Sequence, residues 1–419
     1  MEENMSRAFE WAKEQYQAFG VDVDEALSRL AGFTLSIHAW QGDDVVGFEN
    51  TDHALTGGCQ VTGNYPGRAR NSAELREDLD LALRLIPGRH RVCLQGHQVD
   101  RMLPGVDRNG YGIEHFSEWL GWAAAQKIGL DIAPVFYSHP KLEHGFSLSH
   151  PDPEIRRFWI EHGMAIRRIG AEFGKTLNSP CICNFWMPDG FKDIPADRYH
   201  FRTRMAESLD EIFAEKHPAE YLRDAVESKL FGIGTESCTV TSHEFCLLYA
   251  QKNQKMVCFD TGHFHPTESV ADKLSSTFGF MDEVLLHVSR GVRWDSDHVL
   301  LLNDDLRDLA REIVPYGYSR NVHIGLDYFD ASINRVAAWV IGARNMQKAL
   351  LAALLEPRAR LIQYEQEWDF TRRLALQEEA KALPFGAVWN QFCEQSAVPA
   401  MDNYMETIRM HEKRTNRGN

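Results

Sequence analysis

The sequence predicts an α/β fold, a closed (β/α)₈ TIM barrel followed by an additional C-terminal α-helical region. Short apolar runs rich in β-branched and aromatic residues recur along the chain, and longer helical patterns separate them. An open, doubly wound sheet would need a glycine-rich phosphate-binding turn after its first strand, and the sequence has none there. The eight predicted strands are Thr34–Trp40, Arg91–Gln95, Leu130–Tyr137, Cys181–Trp186, Asp224–Lys229, Lys255–Asp260, Glu283–Val288 and Asn321–Asp327.

The stretches between the strands carry helix signals. We expect Asn71 to cap a helix with Glu74 at its third position, because these two side chains satisfy free backbone N–H groups. Asp152 is expected to cap another helix, with Pro153 in its first turn. The remaining helical patterns are Glu114–Ile128, Asp197–Lys216, His265–Phe278 and Leu300–Val314.

The pattern changes after Asp327. We expect Ser332 to cap a long helix from Ile333 to about Leu355, and helical sequence continues from there to residue 419. A barrel of eight strands has no place for so long a helical segment. The sequence therefore predicts a catalytic barrel domain over residues 1–330 and a helical extension over residues 331–419 for packing or subunit contacts.

Composition excludes several classes of function. The 45 Lys and Arg residues against 60 Asp and Glu residues give a net charge of −15, whereas nucleic-acid and anionic-membrane partners both require a basic face. No apolar run approaches the roughly 20 residues that span a bilayer, and no signal peptide is visible. The eight cysteines include no Cys-x-x-Cys pair, which favours reduced thiols. We expect a cytoplasmic enzyme.

Polar and aromatic residues stand at the carboxyl end of every predicted strand or in the loop behind it. This is the end at which a (β/α)₈ barrel forms its active site. The candidate residues are His38, Trp40, Gln95, His97, His139, Asn184, Trp186, Glu227, Lys229, Asp260, His263, His287, Asp295, Asp297 and Asp327.

Each of these residues, taken singly, also has a structural interpretation. A lone histidine at a strand end is more often a hydrogen-bonded core residue than a ligand. Glu227 and Lys229 share a face of a strand and are able to form an ion pair, and Asp295 and Asp297 fit a solvated turn. A purely structural explanation, however, would have to apply independently to the polar residues at five consecutive strands. Buried carboxylates without partners cost several kcal/mol, so a bound cation explains the whole group better.

The ligand types narrow the choice of cation. Carboxylates and imidazoles without a thiolate suit Mn²⁺, Mg²⁺ or Co²⁺ better than a structural Zn²⁺ site. Asp260 and His263 lie three residues apart, and Asp295 and Asp297 two apart, so each pair is able to point ligands inward from its loop. Seven acids and imidazoles suffice for two metal ions, which is a recurring catalytic arrangement.

Six longer motifs span the chain from the first strand to the last. They are His38-Ala-Trp-Gln-Gly-Asp-Asp44, Gly63-Asn-Tyr-Pro-Gly67, Asp224-Ala-Val-Glu-Ser-Lys-Leu-Phe-Gly-Ile-Gly234, Asp260-Thr-Gly-His-Phe-His-Pro-Thr-Glu268, Arg293-Trp-Asp-Ser-Asp-His298 and Gly325-Leu-Asp-Tyr-Phe-Asp-Ala-Ser-Ile-Asn334. With these motifs the chain resembles the L-rhamnose isomerase family, metal-dependent aldose–ketose isomerases whose barrel is related to that of xylose isomerase. The resemblance covers nearly the whole chain.

The resemblance implies two metal sites and a set of residues around the sugar. The ion that binds the substrate oxygens would be held by Glu227, Asp260, His287 and Asp327. The second ion, which carries an activated water, would be held by His263, Asp295 and Asp297. Lys229, Asp297 and Asp327 would be catalytic. The substrate-binding residues would be Trp40, Gln95, His97 and Trp186.

The resemblance also implies the reaction and its setting. Family members convert L-rhamnose reversibly to L-rhamnulose in L-rhamnose degradation, usually with Mn²⁺, in a cytoplasmic homotetramer. We expect two divalent ions per subunit, with Co²⁺, Mg²⁺ or Zn²⁺ as alternatives to Mn²⁺. A hydride shift from C2 to C1 between two Lewis acids fits these residues, and proton transfer through an enediol is also compatible with the sequence.

The second strand departs from the family pattern. Family members commonly read Asn-Leu-His-Ala-Ile-Tyr, whereas this chain reads Cys93-Leu-Gln-Gly-His-Gln98. Gln95 replaces the histidine usually linked to opening of the sugar ring. His97, which shares a face with residue 95 if both lie on a strand, replaces the isoleucine that helps hold the C6 methyl group. Ala133 stands where relatives often have Asn. The sequence therefore leaves undecided whether this chain shares the family's preference for a 6-deoxy sugar.

Three alternative functions follow from the same residues. An isomerase of the same fold would act on another aldose, one with a hydroxylated C6, through the changed second strand. A metal-dependent hydrolase or phosphoesterase would need basic phosphate-binding groups around the metals, and this acidic chain supplies few. A non-catalytic sugar-binding module would not need all these acids and imidazoles together.

Overall fold

Eight parallel strands close into a barrel in the computed structural model, which describes residues 2–49, 55–316 and 322–418. Each strand pairs with its neighbours in sequence, and the pairing of Ile37 with Leu326 closes the ring between the first and last strands. The strands are β1 Leu35–His38, β2 Arg91–Gln95, β3 Leu130–Ala133, β4 Cys181–Trp186, β5 Leu222–Glu227, β6 Met256–Asp260, β7 Val284–His287 and β8 Val322–Leu326. The predicted fold class is confirmed, and Asn321 lies outside the described residues.

Several strands end earlier than the sequence predicts. β1 stops at His38 because the chain turns at Ala39 into a short helix, and β3 stops at Ala133 because Pro134 has no N–H for the ladder. Lys229 lies beyond β5, where its backbone N–H donates to the Thr241 carbonyl at 3.0 Å. The active-site residues at these positions therefore stand on loops at the barrel mouth.

Helices surround the barrel and extend beyond it. They are α1 Glu2–Ala18, α2 Val23–Ala31, α3 Trp40–Asp43, α4 Ser72–Leu85, α5 Ser117–Gln126, α6 Pro153–Leu177, α7 Tyr199–Ile212, α8 His243–Asn253, α9 Val270–Thr277, α10 Asp304–Ile313, α11 Arg335–Leu354, α12 Arg358–Gln366, α13 Phe370–Lys381, α14 Phe385–Gln395 and α15 Tyr404–Thr415. Two predicted caps are confirmed, since Asn71 accepts from the backbone N–H of Glu74 and Asp152 from that of Glu154. Helices α1, α2, α3 and α8 were not predicted from the sequence.

The predicted cap of the long C-terminal helix is wrong. Asn334 caps α11, and its side-chain oxygen accepts from the backbone N–H of Ala337 at 3.0 Å. The Ser332 hydroxyl donates instead to Asp330 in the loop that follows β8. The helix predicted from His265 also begins later, at Val270, because residues 261–269 form the loop behind β6.

Helix α11 occupies the position of the eighth barrel helix. It packs against α4, α10 and β1, and the Trp339 indole N–H donates to the His38 carbonyl at 2.8 Å. The ring of helices therefore continues past residue 330, where the sequence predicts the catalytic domain to end. The last four helices follow this ring, and α14 packs on α1 and α11.

The side chains between the strands and the helices form a large apolar core. All eight cysteines are free and buried, as the absence of a Cys-x-x-Cys pair predicts. Among the described residues, no helix has both the length and the apolar content to cross a bilayer.

A buried ion pair joins β5 to α6 within this core. The Arg167 guanidinium donates to both carboxylate oxygens of Asp224, at 2.8 and 3.0 Å, and Lys255 approaches the same carboxylate at 2.5 Å. Both side chains of the Arg167–Asp224 pair are at least 96% buried. Breaking such a pair leaves a buried charge poorly compensated, which is costly.

Arg167→Met should lower the free energy of unfolding by about 3 kcal/mol, because Asp224 loses its bidentate partner. Urea unfolding of the purified variant measures this loss. Arg157→Met on the same helix is the matched control, since Arg157 pairs with Glu211 where both side chains are about half exposed. The control should lose less than about 1 kcal/mol. Equal losses in the two variants would contradict the importance given to the buried pair.

Candidate active site

Four predicted metal ligands meet at the carboxyl ends of neighbouring strands. Glu227 ends β5, Asp260 ends β6, His287 ends β7 and Asp327 follows β8 directly. The barrel ladder places Asp260 beside His287. One ligand atom of each of the four side chains lies within 4.8 Å of the others, so the strand register alone brings them together.

A second group shares Asp260 with the first. It adds His263 from the loop behind β6 and Asp295 from the loop behind β7, again with ligand atoms within 4.8 Å. His263 Nε2 lies 3.1 Å from Asp295 Oδ2. Backbone hydrogen bonds in both directions between Arg290 and His298 close the loop that carries Asp295.

The imidazoles of both groups lie between carboxylates. His287 Nδ1 is 3.1 Å from Glu227 Oε2 and 3.0 Å from Asp327 Oδ2, but it has no hydrogen bond of acceptable geometry among the described residues. Burial alone would lower the pKa of His263, but the neighbouring Asp260 and Asp295 carboxylates outweigh burial and raise it well above its usual value. The imidazoles therefore lie among acids, where they would bind a metal ion after losing a proton.

The carboxylates repel one another in this buried space. Burial raises the pKa of Asp260 and Asp297 well above the usual value, and the neighbouring acids, Asp327 among them, add to the rise. Burial alone would also raise the pKa of Glu227, but the imidazoles lower it to about 2. A donor set of hard oxygens and imidazoles with excess negative charge fits divalent cations such as Mn²⁺, Mg²⁺ or Co²⁺.

The structure adds two residues that the sequence analysis did not assign as ligands. His38 forms a ligand-like group with His287 and Asp327, and its position at the end of β1 was the signal for it. The thiol of Cys258 also lies within ligand distance of Glu227 and His287. Burial raises the pKa of this thiol well above its usual value and so favours the neutral thiol.

A glycine makes room for the two imidazoles on this side of the barrel. A Cβ atom at Gly325 on β8 would lie 2.5 Å from His38 Nε2 and 3.0 Å from His287 Cδ2. Real Cβ atoms essentially never approach so closely, so a larger residue would displace both rings. The glycine of the Gly325–Asn334 motif thus has a steric role in the site.

Neutral donors hold two of the carboxylates. The Trp40 indole N–H donates to Asp327 Oδ1 at 2.8 Å, and the Asn184 amide donates to Glu227 Oε2 at 2.5 Å. Trp40, which the sequence analysis predicts to bind substrate, therefore also orients a predicted metal ligand. Such partners fix the direction in which a carboxylate presents its oxygens.

Lys229 enters the same cavity from the loop behind β5. Its ammonium group lies 3.5 Å from Asp295 Oδ2 and 5.1 Å from the centre of a Trp186 ring. Burial alone would lower the pKa of Lys229, but the Asp295 and Asp297 carboxylates raise it. Lys229 therefore stays protonated at neutral pH.

Asp297 lines this cavity without joining either ligand group among the described residues. It adopts a left-handed backbone conformation with φ of 46°, and its carbonyl accepts from the backbone N–H of Phe329 at 3.1 Å. The structure thus brings six of the seven predicted ligands into the groups and places the seventh beside them.

The groups open into a cavity at the mouth of the barrel. Trp40, Gln95 and Trp186 line it, together with Asn184 and Ala133, which the sequence also singles out. Residues that the sequence did not single out line it as well, namely Val45, Gly58, Cys59, Pro134, Tyr137 and Phe329. Most of these residues could not be predicted as cavity residues, because an apolar side chain that follows a strand looks in sequence like any other core residue.

His97 does not line this cavity. β2 ends at Gln95 and the chain turns, so the premise that residues 95 and 97 share a strand face is wrong. His97 is buried, with Nε2 3.2 Å from the Val45 carbonyl and its ring 6.2 Å from that of Tyr137. Its pKa falls to about 4 because of burial and the nearby Arg108.

Known proteins match this chain over its length. The model of the L-rhamnose isomerase (RhaA) family matches residues 3–417. The L-rhamnose isomerase of Rhodopirellula baltica is 55% identical over 410 residues, which cover 98% of this chain and 96% of that relative. The L-rhamnose isomerase of Enterobacter sp. (strain 638) is 54% identical over 414 residues, which cover 99% and 98%.

A solved structure matches the barrel. That of an L-ribulose 3-epimerase covers 79% of this chain and 98% of its own, with a TM-score of 0.51 and 12% identity, a likeness of fold alone. The family match and the two relatives agree with the six sequence motifs and with the ligand groups at the barrel mouth. The chain therefore belongs to the L-rhamnose isomerase family.

Proposed function

We propose that this chain is an aldose–ketose isomerase that interconverts L-rhamnose and L-rhamnulose. The observation that carries the proposal is the pair of carboxylate–imidazole groups that share Asp260 beside the cavity at the barrel mouth. The 55% identity to an L-rhamnose isomerase over nearly the whole chain supports the choice of sugar.

The two groups are proposed as the metal sites. Glu227, Asp260, His287 and Asp327 would hold one ion, and His263 and Asp295, with Asp297 beside them, the other. Divalent cations, Mn²⁺ foremost, supply Lewis acidity toward the first two sugar oxygens when bound. The clustering of buried carboxylates with raised pKa supports this assignment.

The chain's own residues position the sugar and handle its protons. The protonated Lys229 is placed to donate a hydrogen bond to the O1 atom as negative charge develops there. Asp297 lines the cavity outside the ligand groups, so we assign its carboxylate, which a bound cation would keep ionised, to accept the proton that leaves the C2 hydroxyl and to return it to O1. Trp40 and Trp186 wall the cavity and exclude water while a hydride moves from C2 to C1.

The C-terminal helices suggest an assembly role. Trp368, Phe370 and Leu374 on and before α13 are 80%, 49% and 56% exposed. We propose that this apolar surface makes subunit contacts in a homotetramer. The eight free thiols favour a reducing, cytoplasmic location.

Chelator-stripped protein should lose the conversion of L-rhamnose to L-rhamnulose and regain it when Mn²⁺ is restored. A colorimetric ketose assay before and after the addition of the metal measures this. Failure to form ketose from L-rhamnose in the metal-restored protein would refute the proposed function.

His263→Gln should lower the number of bound Mn²⁺ ions from two to one per chain, because only the second group contains His263. Asp260→Asn should weaken both sites, since both groups share this carboxylate. Metal analysis after dialysis against Mn²⁺ gives the stoichiometry. The control is His265→Gln, on the same loop but exposed and bonded to Thr267. A loss of metal in this control equal to that in His263→Gln would contradict the assignment.

Lys229→Met should lower kcat by about 100-fold or more and leave the bound metal in place, because the ammonium group assists the developing charge. Steady-state kinetics and metal analysis of the same preparation separate the two effects. Lys273→Met is the matched control, since Lys273 pairs with Glu268 outside the cavity. Unchanged kcat in Lys229→Met would remove this residue from the mechanism.

A further inference from the structure

Buried polar atoms without a hydrogen-bond partner among the described residues gather on the β1–β3 side of the cavity. They are Gln95 Oε1, His97 Nδ1 and the Tyr137 hydroxyl, and beside them the Asp43 carboxylate pairs with the Gln98 amide. A buried polar group left unpaired costs about 1–3 kcal/mol. Two of these atoms, Gln95 Oε1 and the Tyr137 hydroxyl, belong to residues that line the cavity, which indicates that this side receives a polar partner.

Contacts between these residues join them into one group. The backbone N–H of Gln95 donates to Gln98 Oε1 at 2.9 Å, and the rings of His97 and Tyr137 meet edge to face. Within the group, Gln95 and Tyr137 line the cavity, and both are more than 90% buried. They are therefore the members that a bound sugar is able to touch.

The strand order sets the position of these two side chains relative to the acids. β2 and β3 stand across the barrel from β6 and β7, which carry Asp260 and His287. Gln95 ends β2, and Tyr137 follows β3 by four residues. A sugar whose first two carbons lie at the acids therefore extends its last carbons toward Gln95 and Tyr137.

We propose that Gln95 and Tyr137 form a polar subsite for a hydroxyl group on the terminal carbon of the sugar. The chain then isomerises a hexose with a C6 hydroxyl at least as efficiently as the 6-deoxy sugar. The proposal rests on the proposed isomerase function and names its substrate class. A primary alcohol both donates to an amide oxygen and accepts from a phenol, whereas a methyl group leaves both unpaired.

Three sugars that differ only in the substituent on their fifth carbon test the subsite. L-Lyxose carries hydrogen there, L-rhamnose a methyl group and L-mannose a hydroxymethyl group. The wild-type enzyme, loaded with Mn²⁺, should give a kcat/KM for L-mannose equal to or above that for L-rhamnose. Ketose formation from each sugar under identical conditions provides the comparison.

Two variants remove the proposed contacts separately. Tyr137→Phe removes the hydroxyl, and Gln95→Leu removes the amide at similar volume. Each should lower the ratio of kcat/KM for L-mannose to that for L-rhamnose about tenfold, as expected for one lost hydrogen bond. Tyr111→Phe is the matched control, because this buried hydroxyl donates to Glu49 at 2.5 Å away from the cavity, and it should leave the ratio unchanged.

The outcomes separate the two levels of the proposal. Absence of turnover with all three sugars refutes the isomerase function itself. Turnover of L-rhamnose with more than about a tenfold preference over L-mannose overturns the polar subsite alone. The polar subsite is also overturned if both variants lower kcat/KM for all three sugars by an equal factor. A ratio that falls in the variants and not in the control establishes the subsite.

Discussion

Mutual repulsion among five carboxylates, two of them buried and three partly buried, is the constraint on which the rest of the active site depends. Glu227, Asp295, Asp297 and Asp327 line one cavity, and Asp260 joins the two ligand groups beside it. Their low exposure strengthens the repulsion that water would otherwise screen. Such groups stay close only if the backbone fixes them. The barrel does so through the register of its ladder, in which Asp260 stands beside His287. The closed ring leaves these strand ends little freedom to relax apart.

A layer of neutral donors complements the ladder. Trp40 and Asn184 donate to carboxylates on β8 and β5, and the backbone N–H of Gly262 donates to Asp260 Oδ1 at 2.6 Å. These donors orient the acids without neutralising them, so the negative charge remains available to a cation. Lys229 is the one ammonium group among the residues that line the cavity. The carboxylates around the cavity therefore outnumber its basic side chains, which favours a bound cation.

The sequence allows prediction of those parts of the molecule that follow from periodicity or from chemistry near a strand end. All eight strands were predicted, as were six residues of the ligand groups, because acids and imidazoles behind apolar runs carry a strong signal. The position of His97 was predicted wrongly, because it depends on the exact residue at which β2 ends. The role of α11 was missed since a helix that completes a barrel and one that extends it have the same pattern. Tyr137 was missed as a cavity residue because its run reads as strand.

The cavity therefore has two halves with different physical requirements. The half on β5–β8 must hold fixed charges close together, so a change of any acid or imidazole there alters the electrostatic balance of the others. The half on β2 and β3 carries neutral groups, so under the proposed subsite the exchange of one polar or apolar side chain there would change mainly the match to the terminal carbon of the ligand. A barrel separates these halves by its diameter. The chemistry of the first two carbons is therefore able to stay constant while the preference for the terminal carbon changes, and Gln95 stands at the strand end where such a change has the least effect on the charged half.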